Sequence, residues 1–494
     1  MRRSARGFFL ALLAAAAVAA CAVGPDFHAP PPPATSHYTR APEPTGTVAA
    51  PGASGTGQTF SSSRDIPADW WTLFHSSALD ELMRQALADS PTVQAAQATL
   101  LTAAETWRAQ RGGLLLPAVD ATGSAVREKV PGAAFGQPGS SFLFNLFDAS
   151  VGVTYRLDLF GASRRQLEAL RAQADYQRWE LEAARLTLAD NIVTTAVNIA
   201  SLHAQIAALG DIVASERDQL KVVQRQFDAG AASRSDVLAQ QTQVADNEAQ
   251  LPGLEKQLAQ AQHRLAVLVG RTPDDATVPD FTLDKLTLPA ELPLSVPSKL
   301  VRQRPDVQAA EALLHVSTAQ LGVATANMYP QLNLTGSIGS ETIQASDLFK
   351  TGSAAWNIGG SLTQPLFHGG ELLGLKRAAR ADLERAAAQY REAVLAALQE
   401  VADTLRALEA DARTLQADLI TETDAQDTLK MTQLQYKVGG VSYLTLLNAE
   451  RVYLQARQNR VQAEAARYAD TAALFQALGG GWWNRQDNAK ETRQ

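Results

Sequence analysis

The sequence predicts a mainly α fold with a small membrane β part. It reads as a trimeric α-barrel of long coiled-coil helices, continuous with an outer-membrane β-barrel of four strands per chain, with each chain an internal tandem duplication. Three observations carry this. The amino-terminal segment ends in a cysteine behind small residues. One turn-and-helix pattern occurs twice, 209 residues apart, from Gly230 to Gly439 and again from Gly270 to Gly479; a repeat of this kind sets the architecture before any single element does. Four stretches alternate apolar and polar residues with period two.

Taken in order, residues 1–20 form a lipoprotein signal peptide. "MRRSARG" is basic, and "FFLALLAAAAVAA" is apolar but short for a bilayer span. "VAAC" has the small residues that precede a bacterial lipoprotein cleavage site, which makes Cys21 the lipidation residue; the plainer alternative is a secretory signal with a stray cysteine. Acylation would hold the mature terminus in outer-membrane lipid at about 0.8 kcal/mol per buried methylene. Ala22 follows, not the aspartate that resembles an inner-membrane retention signal. Cys21 is the only cysteine, so no disulfide framework exists.

Residues 21–67 are rich in Pro, Ala, Gly, Ser and Thr, a composition that suits a lipid-anchored, extended tether. The first repeat covers 68–270, a linker 271–297, the second repeat 298–480 and a tail 481–494. Each repeat reads helix, two strands, two long helices. "SPTVQAAQATL" at Ser90 matches "RPDVQAAEALL" at Arg304, and "YRLDLFGAS" matches "LTQPLFHGG".

In "SVGVTYRLDLF", Val151, Val153, Tyr155, Leu157 and Leu159 share a face against Gly152, Thr154, Arg156 and Asp158. "QLNLTGSI", "WNIGGSLTQ" and, more weakly, "AVDATGSAV" alternate likewise. This fits either a transmembrane strand or a half-buried strand of a soluble sheet. Arg156 and Asp158 would face the barrel lumen or its base, as a solvated wall.

The helices favour the membrane reading. From Gly370 to Tyr436 there is no proline, with apolar residues stepping by threes and fours from Leu383 to Leu419. Such a helix reaches on the order of 100 Å. Gly161 to Phe227 is its counterpart, and Pro252-Gly253 predicts a bend in the shorter helix that follows. Four strands leave two open edges, which lipid does not tolerate. Three copies would supply about twelve strands, and the duplication would lend the ring pseudo-sixfold symmetry.

With "CAVGPDF", "FDAGAAS", "YKVGGVSYLTLLNAER", "RPDVQAAEALL", "QPLFHGG" and "ALGGGWW" in this order, the chain resembles a TolC-type outer-membrane factor, in the lipoprotein branch typified by OprM and NodT, from about Trp70 to Trp483. The resemblance implies a homotrimer in the outer membrane of a Gram-negative bacterium, with helices in the periplasm. It also implies a periplasmic adaptor (membrane fusion) protein and an inner-membrane RND-type pump as partners, and the role of efflux duct. It places Gly230 and Gly439 at periplasmic tip turns. There Ser233 and Ser442 can cap the following helices, with Asp236 three residues past Ser233 in capping-box fashion. It assigns Leu444 and Asn448 to the pore constriction, Asn448 standing where an acidic residue is common; ordinary coiled-coil positions are the alternative.

Two other functions remain at this level: a duct for type I protein secretion, and a non-conducting coiled-coil structural lipoprotein. The net charge of -7 and the lack of a basic stripe argue against nucleic acid. The seven histidines show no metal-ligand spacing, and no phosphate loop or catalytic constellation stands out, so no metal, cofactor or enzyme activity is expected.

Overall fold

A computed structural model of the chain describes residues 22–40, 43–61, 64–136, 138–275 and 279–485. The chain forms two compact units, neither coinciding with one sequence repeat. One draws on Met1–Pro30, Thr99–Arg178 and Ala309–Arg391; the other on Pro31–Ala98, Trp179–Gln308 and Glu392–Gln494. The helices are α1 (Ser77–Asp89), α2 (Pro91–Leu115), α3 (Ala162–Asp228), α4 (Arg234–Glu248), α5 (Leu251–Leu268), α6 (Pro297–Gln303), α7 (Pro305–Ala326), α8 (Glu371–Lys437) and α9 (Tyr443–Ala477). The strands are β1 (Thr59–Ser61), β2 (Ala118–Pro131), β3 (Ser141–Leu157), β4 (Glu291–Pro293), β5 (Gln331–Thr342) and β6 (Ala354–Thr363). The duplication extends to helix length: α3 and α8 each contain 67 residues.

The first unit carries the four-stranded sheet, ordered β2-β3-β5-β6 and antiparallel throughout. Its register decides which side chains share a face. Val119 pairs with Val153, Val151 with Ile338, Tyr155 with Leu334, Ile338 with Trp356 and Leu332 with Leu362. The period-two pattern of each strand therefore merges into one apolar face. On it Val119, Val151, Val153, Ile338, Trp356, Ile358 and Leu362 are exposed. The opposite face carries Asp120, Thr122, Thr154, Arg156, Asn333, Thr335, Ser337 and Asn357, tied locally by Asn357 Nδ2 donating to Ser337 Oγ at 2.7 Å. Strands β2 and β6 each pair on one side only. Asp158 departs from the expected wall. β3 ends at Leu157, and the Asp158 carboxylate instead accepts from Arg164 N at 2.9 Å in the first turn of α3, where an anion complements the free amides.

In the second unit, Trp70 stacks on Phe475 at 5.2 Å, and Phe74, Leu79, Met83 and Tyr468 complete a buried core beside them. The duplication appears here as two equivalent joints. Gly270, past the end of α5, has φ 78 and lies where a Cβ would meet Asp89 O at 2.7 Å; Gly479, past the end of α9, has φ 93 and lies where a Cβ would meet Gln303 O at 2.5 Å. Glycine adopts this backbone without strain, and lacking a Cβ it admits so close an approach. Arg304 strengthens the second joint, donating to Ala477 O at 3.0 Å and to Glu400 Oε2 at 2.5 Å.

The shorter helix of the first repeat breaks at Ala249 and Gln250, between the end of α4 at Glu248 and the start of α5 at Leu251, just before the expected Pro252-Gly253; Pro252 takes a first-turn position, where its missing N–H costs nothing. α9, its counterpart, is unbroken over 35 residues. Among the described residues, α3 alone has a stretch apolar enough to cross a membrane by length and composition, and 61% of that stretch is buried, as in a helical core.

Residues 43–61 correct the expectation of a simple extended tether. β1 pairs in parallel with β4, and Gln58 is fully buried, donating to Pro289 O at 3.1 Å and Thr471 Oγ1 at 3.0 Å. The buried Arg467 of α9 donates to Ser54 O at 2.5 Å and Thr56 O at 3.0 Å. Polar partners, not apolar area, hold the segment, and composition does not record them.

Candidate functional site

The two repeated turns meet in the second unit. Each follows the same physical recipe. α3 ends with Gly230 in the left-handed region at φ 77, and Ala231 N returns to Gln226 O at 2.7 Å; α8 ends with Gly439 at φ 75, and Gly440 N returns to Gln435 O at 2.8 Å. A glycine in this conformation satisfies the last carbonyls of the helix. The capping serine of the next helix stands three residues after the glycine in each case. Ser233 caps α4 with a full capping box: Ser233 Oγ accepts from Asp236 N at 3.2 Å, and Asp236 Oδ2 accepts from Ser233 N at 2.9 Å. Ser442 caps α9 by accepting from Thr445 N at 3.3 Å, without an acidic partner.

Val223, Val237, Tyr443, Leu446 and Leu447 close into one apolar cluster drawn from α3, α4 and α9, with Leu429 and Tyr436 of α8 against it. A polar layer follows. Tyr443 donates its hydroxyl to Gln240 Oε1, Gln240 Nε2 donates to Glu216 O at 2.9 Å, and Asn247 Nδ2 donates to both Glu216 carboxylate oxygens at 2.8 and 2.9 Å. Glu450 of α9 is buried too, and its Oε2 has no hydrogen-bond partner.

Leu444 and Asn448 lie on the other side of α9. Their i, i+4 spacing gives them one face, and both are exposed, Leu444 at 73%. Neither packs the chain's own core. Arg451 Nη2 donates to Asn448 Oδ1 at 3.0 Å, placing a cation beside the amide. Arg451, Glu216 and Glu450 were not foreseen. The signal for the last was available: Tyr443, Leu447, Glu450 and Leu454 step by threes and fours, so one seam position is a carboxylate.

Cys21 lies outside the described residues. The segment after it is held in the first unit. Gly24, at φ +100, lies where a Cβ would come within 2.6 Å of Gly322 Cα. Asp26 Oδ1 accepts from Arg165 Nη2 at 2.5 Å; Arg165 Nη1 donates to Glu168 Oε2 at 2.7 Å; Glu168 Oε1 meets His315 Nε2 at 2.8 Å; and Phe27 stacks on the His315 ring at 4.2 Å. The Arg165 contact holds the Asp26 carboxyl below the usual carboxylate range.

The family model described as "Outer membrane efflux protein" matches residues 82–271 and 296–480. The chain is 29% identical over 477 residues to the antibiotic efflux pump outer membrane protein ArpC of Pseudomonas putida, covering 95% of each chain. It is 30% identical over 422 residues to the pyoverdine export outer membrane protein OpmQ of Pseudomonas aeruginosa, covering 84% of this chain and 87% of that one. Among solved structures, the outer-membrane channel OprN superposes with a TM-score of 0.84 at 28% identity, over 94% of this chain and all of that one.

Proposed function

The chain belongs to the outer membrane efflux protein family, and from that premise we propose that it is the exit duct of a tripartite efflux system, passing small molecules from an inner-membrane RND-type pump and a periplasmic adaptor to the outside. The protein is an outer-membrane efflux channel of a Gram-negative bacterium. The observation that carries the fuller reading is the sheet: an exposed apolar face, a polar face and two unpaired edge strands. Lipid takes the first, a water-filled lumen the second, and only further copies of the same sheet can close the edges. A homotrimer would supply about twelve strands. A coiled-coil spacer that conducts nothing would leave the apolar face without a role.

In this reading Cys21 carries the lipid, and the paired turns at Gly230 and Gly439 form the periplasmic tip. Leu444 and Asn448 narrow the pore there, three copies of each around the axis. Their exposure in the single chain supports this, since side chains that narrow an axial passage do not pack their own helix seam. Dewetting between apolar side chains closes such a passage, and opening is a population shift toward a splayed form that a partner binds better.

Purified full-length protein reconstituted in planar bilayers tests the duct. Discrete conductance steps, with a heat-resistant trimer band in detergent, are the expected result. A trimer without conductance under any applied voltage or pH would leave the spacer reading in its place.

A further inference from the structure

Directly behind the apolar cluster at the paired turns, two carboxylates lie within the helix packing. Glu216 of α3 is 1% exposed and Glu450 of α9 is 6% exposed. Four helices surround them. α3 contributes Glu216; α4 contributes Asn247, Gln243 and the Glu248 carboxylate, itself paired with Arg217 at 2.7 Å; α9 contributes Glu450 and Tyr443; and α8 contributes Tyr436, 5.4 Å from the Tyr443 ring. Among these described groups no cationic side chain acts on either carboxylate. Asn247 spends its amide on Glu216, so Glu450 has no equivalent donor, and one of its oxygens is unpartnered.

We propose that Glu216 and Glu450 form a proton-operated latch, in which a proton on Glu450 keeps α9 packed on α3 and α4 at the turns, and its loss releases that seam. The inference rests on the reading of these turns as the channel's closed end.

The physics is that of a buried like-charge pair without a counter-ion. Burial first, and the Glu216 charge second, push the Glu450 carboxyl up to about 7; burial also raises Glu216, against the pull of the Asn247 and Gln243 hydrogen bonds. When the seam opens, water reaches Glu450 and its affinity for the proton falls to that of an ordinary glutamate. The packed form therefore holds the proton more tightly. Protons favour packing, fully so below the ordinary glutamate range, and that contribution is lost as pH rises through about 7. Glu450 shares its face of α9 with Tyr443 and Leu447, seven and three residues before it, so loosening this seam shifts the helix that carries Leu444.

The test uses the reconstituted full-length protein and reads the seam apart from the gate. A cysteine at the fully buried Val237 reports seam opening through its rate of reaction with a thiol reagent. Thiol ionisation contributes equally in the parent and Glu450→Gln backgrounds, so their ratio isolates the latch. Between pH 6 and 8 the ratio, parent over Glu450→Gln, should rise several-fold, limited to about tenfold per pH unit for one proton. Glu216→Gln removes the neighbouring charge and should move the midpoint to lower pH. A ratio that stays constant, or a midpoint unmoved by Glu216→Gln, overturns the latch. Leu444→Ser, measured alongside by conductance, should leak at both pH values; if it conducts like the parent, the gate assignment falls while the cysteine ratio still decides the latch.

Discussion

Asp26 Oδ1 lies 2.5 Å from Arg165 Nη2, which fastens the chain to the start of α3 five residues after Cys21. Arg165 is buried and also serves Glu168, so one guanidinium joins the amino-terminal segment to the Glu168–His315 pair of the first unit. The segment after Cys21 is thus a clasp: Gly24 for close approach, Asp26 for charge, Phe27 for stacking. Arg165→Met should free the segment and leave Glu168 short of a donor. Loss of the Asp26 ion pair and of one Glu168 donor should give faster proteolysis near Phe27 and a lower trimer melting temperature. Unchanged proteolysis would show that the clasp does not hold the segment.

The lipid itself is a separate prediction. Mass spectrometry of the amino-terminal peptide should find Cys21 modified and first in the mature chain. A peptide extending upstream of an unmodified Cys21 would refute the anchor.

At the proposed constriction, Leu444→Ser should raise leak conductance in planar bilayers and sensitise cells to large antibiotics. Asn448→Asp adds up to three negative charges to the axis of a trimer, but Arg451 already hydrogen-bonds this position. The single variant should therefore shift ion preference only modestly, and Asn448→Asp with Arg451→Gln should shift it strongly toward cations. If the pair of substitutions selects like the parent, the constriction lies elsewhere.

The hairpin connections should face the cell exterior. Cysteines at Gly139, between β2 and β3, and at Ser346, between β5 and β6, should react with a membrane-impermeant thiol reagent on intact cells. Failure of both in protein located in the outer membrane would invert the barrel.

The two caps differ in strength. Ser233 has the reciprocal Asp236 partner and Ser442 does not. Ser233→Ala should cost about 1 kcal/mol and speed amide hydrogen exchange in the first turn of α4. Ser442→Ala, with one capping bond to lose, should do less to α9. Equal effects would show that packing, not capping, fixes these helix starts.

Long periodic elements were legible in the sequence because their period is a direct consequence of which face is buried. The two 67-residue helices, the turn glycines and the four alternating strands are of this kind. What escaped was polar. Nothing in the composition of residues 43–61 shows that Arg467 will donate to their carbonyls, because a buried hydrogen bond leaves no hydropathy signature. Asp158 follows the alternation of β3 yet turns to the start of α3. At the turns, Leu444 and Asn448 came from resemblance, whereas Glu450 stood in plain view as a charged residue in an apolar seam.

The grip of Arg467 on Ser54 joins positions 413 residues apart. The first part of this unit to leave the ribosome can be seated only after its last helix has been made. Contacts of such separation form late, since the intervening loop must close first. The segment around Ser54 therefore waits for this contact through nearly the whole of synthesis. Its docking is a checkpoint on completion: a chain truncated before α9 would leave residues 43–61 without the Arg467 grip and open to proteases.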